Sequence, residues 1–66
     1  MRIDKPRSII EITIDEWILN ERNRAILKRR LLDGITFEKL AEEFDLSTQQ
    51  VKTIVYKGQS ILQCHL

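Results

Sequence analysis

Little in this sequence could lock a fold covalently or through a metal. Its only cysteine, Cys64, cannot form an internal disulfide. Its only histidine, His65, leaves no His/Cys cluster with zinc-ligand spacing. A long apolar run is also missing, because Ile9, Ile10, Ile12 and Ile14 are interrupted by Glu11 and Thr13. That excludes a signal peptide and a membrane span, and the chain is expected in the cytoplasm. Charge of one sign is not in excess either: the net charge is +1, so any affinity for nucleic acid must come from how charge is distributed.

Sixty-six residues make one domain at most. A chain this short buries only about 60% of the surface its unfolded form exposes, so its core must be simple and mostly local. Helices suit that limit, with stability drawn from helix packing and help from a partner chain. The expected fold is all-α: a small helical bundle containing a helix-turn-helix, preceded by an extended N-terminal arm.

The arm is read over residues 1–12, which hold the only proline, Pro6, and isoleucines without helical period. Thr13-Ile-Asp-Glu16 has the form of a capping box and predicts a helix start there, opening a domain over residues 13–66. Ile12 and Trp17 have the spacing of a hydrophobic staple across that cap. Asn20 predicts a break or new cap, followed by a helix over Glu21 to Asp33 with Ile26, Leu27, Leu31 and Leu32 on its inner side. Gly34 ends it, since glycine takes the left-handed conformation without steric cost. Thr36 then caps a short helix in which Phe37, Leu40, Ala41 and Phe44 recur at three- and four-residue intervals. Asp45-Leu46 is the turn, and Ser47 with Gln50 forms a second capping box. The helix it opens runs to about Tyr56, where Gly58 weakens its continuation, while Ile61, Leu62 and Leu66 keep an apolar period beyond.

The unit over residues 36–57 has the form of a helix-turn-helix. Two helices that cross steeply need a small residue where they meet, and Ala41 supplies it. Leu40, Phe44, Leu46, Val51 and Ile54 fall at inward positions, leaving the start of the second helix free for a major groove. Its polar residues are Ser47, Thr48, Gln49, Gln50, Lys52, Thr53, Tyr56 and Lys57, the candidate DNA-binding set, and no acidic residue follows Asp45. A glutamine amide can bond bidentately to adenine. Gln49 is the first choice for base reading, because capping also claims Gln50. A basic cluster at Arg22, Arg24, Lys28, Arg29 and Arg30 reads equally as a solvated face or as phosphate contacts.

The run from about Asn20 to Leu62 resembles region 4, the C-terminal helix-turn-helix of bacterial sigma factors. In that family a helix rich in Arg and apolar residues ends at a glycine, here Arg24-Ala-Ile-Leu-Lys-Arg-Arg-Leu-Leu-Asp-Gly34. A Thr- or Ser-capped helix follows, here Thr36 to Phe44, and a Leu-Ser cap leads into the recognition helix, here Thr48-Gln-Gln-Val-Lys-Thr-Ile-Val-Tyr-Lys57. The resemblance implies that Thr48, Gln49, Lys52 and Thr53 touch promoter bases and phosphates. Asp45 stands where glycine is common, and Thr48 and Gln50 stand where the family carries arginines, which implies weak binding. A full sigma factor also needs a domain that melts promoter DNA, so the expectation is a stand-alone module, a small transcriptional regulator of bacterial or phage type.

The expected partner is double-stranded DNA. The alternative is a protein-interaction module for RNA polymerase or a sigma/anti-sigma partner, using Trp17 and the acidic face of Glu38, Glu42 and Glu43. A homodimer through the apolar tail or the arm is a further expectation. No cofactor and no enzymatic activity are expected. Asp15 with Glu16, and Glu42 with Glu43, are sequence neighbours that point to different sides of a helix, which does not suit paired acid-base work.

Overall fold

The computed structural model describes residues 6–65. They form four helices: α1 (Arg7–Trp17), α2 (Glu21–Leu31), α3 (Phe37–Phe44) and α4 (Thr48–His65). No strand occurs among the described residues, and none of these helices is long and apolar enough to cross a membrane.

The expected extended arm is corrected from Arg7 onward; residues 1–5 lie outside the described residues. Residues 1–12 read as an extended arm without helical period, but the segment carries Ile10, Thr13, Ile14 and Trp17 at helical spacing. The helix buries the first three of these. A lone strand would have left its backbone groups unbonded, whereas a helix satisfies them within itself. Pro6 stands just before the helix, where a missing N–H costs nothing, and its carbonyl accepts from the amides of Ile9 and Ile10. The Thr13–Glu16 capping box does not form, because the helix starts earlier. Buried Thr13 instead donates its hydroxyl to the Ile9 carbonyl at 2.7 Å. The Ile12–Trp17 staple is absent for the same reason: both side chains are about half exposed. The Trp17 ring stacks on His65, centroids 3.6 Å apart and planes 3° from parallel, tying the end of α1 to the end of α4.

The other helix boundaries follow local chemistry. Asn20 caps α2 by accepting from the Asn23 amide, and Thr36 caps α3 by accepting from the Lys39 amide. Gly34 takes φ 69° after α2. Asp45 takes φ 54° and ψ 48°, so the Leu46 amide donates back to the Ala41 carbonyl at 2.9 Å and closes α3. The Ser47–Gln50 capping box forms in both directions: the Gln50 amide donates to the Ser47 hydroxyl, and the Ser47 amide donates to Gln50 Oε1.

Helix α4 packs on all three others. The core joins Ile10, Ile14 and Ile18 to Ile26 and Leu27 of α2, Leu40 and Ala41 of α3, and Val51, Val55 and Leu62 of α4. Of the residues expected to face inward in the helix-turn-helix, Leu40 and Val51 are fully buried, while Phe44, Leu46 and Ile54 are partly buried against that core. Helix α4 continues through Gly58, which is buried. A Cβ there would lie 3.0 Å from Leu27 Cγ and closer still to both its methyls, so this glycine lets α4 approach α2. Leu62 beyond it is fully buried; Leu66 lies outside the described residues.

Candidate nucleic-acid interface

The first half of α4 carries the candidate set, and the helix sorts it into three strips. Val51, Val55 and Gly58 are buried. Gln49, Thr53 and Tyr56, at steps of four and three, are all exposed and form one stripe along the outer side. Gln50 and Lys57, both exposed, lie on the flank toward α2. Half-buried Lys52 lies on the flank toward α3. Ser47 and Thr48 stand at the helix start, where the Ser47 hydroxyl is occupied in capping.

Hydrogen bonding separates the two glutamines. Gln50 Oε1 accepts from the Ser47 amide at 2.9 Å, so its carbonyl end is already engaged. A bidentate adenine contact needs both ends of the amide. Gln49 has no side-chain hydrogen bond among the described residues, and its carbonyl accepts the Thr53 hydroxyl at 3.0 Å. That bond engages the Gln49 main-chain carbonyl and leaves its side-chain amide free.

The basic cluster, undivided in sequence, separates by partner. Lys28 pairs with Asp15 at 2.8 Å and Arg29 with Glu43 at 2.6 Å. Arg24 donates to the Leu19 carbonyl and Arg30 to the Ile35 carbonyl, both at 3.0 Å. Arg22 has no carboxylate partner among the described residues and borders a shallow cleft with Gln49, Gln50 and Thr53 over a floor of Leu46 and Ile54. Arg22 is therefore a candidate site residue, which the sequence reading left undivided within the basic cluster. The partners that occupy its neighbours, Asp15 and Glu43, are remote in sequence and come together only on folding.

A second concavity of about 440 Å³ runs along the other end of this flank. Trp17, Leu19, Asn20, Ile54, Lys57 and Ile61 are among the residues that line it. Leu19 is 82% exposed there, a large apolar side chain with almost no cover. Neither Leu19 nor Gly58 carried a sequence signal for this groove, which arises where the α1–α2 connection passes α4.

Among the described residues no group of His, Cys, Asp or Glu could hold a metal ion. The arrangement is thus a polar stripe on a helix start, flanked by cations and braced from behind by apolar packing. Comparison with curated proteins and with solved structures returns no match. The family model for sigma-70, region 4, matches residues 18–60, which spans the cap of α2, the whole helix-turn-helix and most of α4. On that match and this geometry the chain belongs to the sigma-70 region 4 family, a DNA-binding helix-turn-helix with a role in transcription.

Proposed function

We propose that this protein is a small cytoplasmic transcriptional regulator that binds duplex DNA sequence-specifically by placing the start of α4 in the major groove. The observation that carries this is the exposed stripe of Gln49, Thr53 and Tyr56 on a helix whose opposite face is core. Gln49 reads an adenine edge, a contact worth about 1–3 kcal/mol of discrimination. Thr48 and Thr53 lie beside it, and Ser47 and Gln50 hold the helix start in place. Lys52, Lys57, Tyr56 and Arg22 meet phosphates, positioning the helix without reading sequence.

Selection of bound sequences from random duplex DNA tests this. A recovered motif containing adenine, lost for Gln49→Ala, supports the reading; no enrichment at low salt sinks it. A palindrome would indicate paired copies with half-sites about 34 Å apart, and a short asymmetric site a single copy.

A second reading, docking on RNA polymerase or a sigma/anti-sigma partner, draws on the groove of Trp17, Leu19 and Ile61. It predicts that Leu19→Glu leaves DNA affinity intact and abolishes capture of purified polymerase.

A further inference from the structure

Among the described residues the large apolar side chains that stand exposed are Ile9, Ile12, Trp17, Leu19, Tyr56 and Ile61. Only Tyr56 belongs to the stripe proposed to face DNA. The others lie on α1, on the connection that follows it and on the far half of α4, where the DNA reading leaves them unexplained. A small domain with this much apolar surface in water gains stability by covering it with another chain.

Two of these surfaces complement each other. The first is the groove of Trp17, Leu19, Ile54 and Ile61, which follows α4 from Thr53 to Ile61, a run of about 12 Å at the rise of a helix. The second is the outer side of α1. Ile9, Ile12 and Glu16 are all exposed and stand three and four residues apart, so they share one face over about 10 Å. The ridge and the groove thus match in length.

Their charges match as well. Helix α1 carries Glu11, Asp15 and Glu16 with no cation after Arg7, whereas α4 has no Asp or Glu and sets Lys57 in the wall of the groove. Arg7 and Asp15 are already occupied, by Asp33 and Lys28. Neither Glu16 nor Lys57 takes part in an ion pair among the described residues. Helix α1 cannot enter the groove of its own chain, because its last residue, Trp17, forms part of the wall.

We infer that the groove receives the outer face of α1 from a second copy, with Ile9 and Ile12 against Leu19 and Ile61 and Glu16 paired to Lys57. A two-fold pair makes this contact twice, and a head-to-tail chain makes it once per copy. Thr53 and Lys57 line the groove and also belong to the candidate DNA set, so a copy seated there keeps them from DNA. Self-association and duplex binding therefore oppose each other, each weakening the other by the same factor. That opposition rests on the DNA-binding reading above; the contact itself does not.

Sedimentation equilibrium of the intact chain without DNA, over micromolar concentrations, tests the contact. The wild type is expected to associate weakly, whereas Ile12→Glu and Leu19→Glu stay monomeric with unchanged helicity, since both side chains are exposed. Trp17, the only tryptophan, should shift its emission to shorter wavelength as association removes water from the groove. Glu16→Lys and Lys57→Glu should each weaken association roughly fivefold, and the chain carrying both should recover it, which a variant that merely misfolds would not do. A wild type that stays monomeric at high micromolar concentration overturns the proposal, and capture of purified polymerase by that monomer through Leu19 gives the groove to the partner of the second reading. Association that survives Leu19→Glu and both charge reversals also overturns it. A duplex that the chain binds should dissolve the wild-type assembly. Binding of that duplex by an intact assembly overturns the opposition and leaves the contact standing, and absence of duplex binding overturns the DNA reading without touching the contact.

Discussion

At Asp45 the backbone turns left-handed, and a side chain in that conformation costs roughly 1 kcal/mol that glycine does not incur. Asp45→Gly is expected to raise the urea midpoint by an amount corresponding to roughly 1 kcal/mol, reduced by the extra freedom glycine has when unfolded. A midpoint that falls would mean the aspartate side chain stabilises the turn. Gly58 is the opposite case. Alanine in a helix interior is favoured over glycine by about 1 kcal/mol, but here its methyl would press on fully buried Leu27. Overpacking of this kind costs typically 1–3 kcal/mol, so Gly58→Ala should lower the melting temperature despite its better propensity. A higher one would show that Leu27 repacks freely.

Among the elements, the junction of α3 and α4 depends on a small residue and a cap. Ala41 is 8% exposed at the crossing, and Ala41→Leu should destabilise by about 1–3 kcal/mol in a thermal melt. An unchanged melt would mean the helices do not meet there. Ser47→Ala removes the acceptor of the Gln50 amide and should cost about 1 kcal/mol, measured by denaturant unfolding. The same substitution loosens the first turn of α4, where the candidate DNA-binding residues begin. The surface ion pair Arg29–Glu43 joins α2 to α3, but its partners are about 40% exposed, so it is a minor contributor next to these effects.

For the whole molecule, the tail of α4 is the decisive segment. The sequence offers Ile61 and Leu62 as spare apolar surface for a second copy, yet Leu62 is fully buried in the chain's own core. A chain ending at Lys57 should therefore lose its cooperative melt rather than simply become monomeric. Retention of a sharp transition by the shortened chain would show that three helices suffice. Among the described residues, exposed Ile9 and Ile12 of α1 and the groove around Leu19 offer a second copy apolar surface, and sedimentation of the intact chain against Ile12→Glu tests the first of these.

The helix-turn-helix was legible in the sequence because its signals are local. Caps at Asn20, Thr36 and Ser47, the left-handed positions at Gly34 and Asp45, and the spacing of Leu40, Ala41 and Val51 each act within a turn or two of the chain. So does the outer stripe of α4, which follows from helical period once the buried face is known. What the tertiary structure decided is whatever depends on partners remote in sequence. Residues 7–12 are helical because α2 and α4 offer Ile10 and Ile14 a surface to bury, which outweighs the strand preference of isoleucine. Gly58 is a point of close approach because Leu27 stands against it. Lys28 and Arg29 are paired because Asp15 and Glu43 reach them across helix boundaries, whereas Arg22 and Arg30 take part in no ion pair among the described residues. Local hydrogen bonding and sterics are written residue by residue, whereas burial and charge pairing depend on which surfaces the fold brings together.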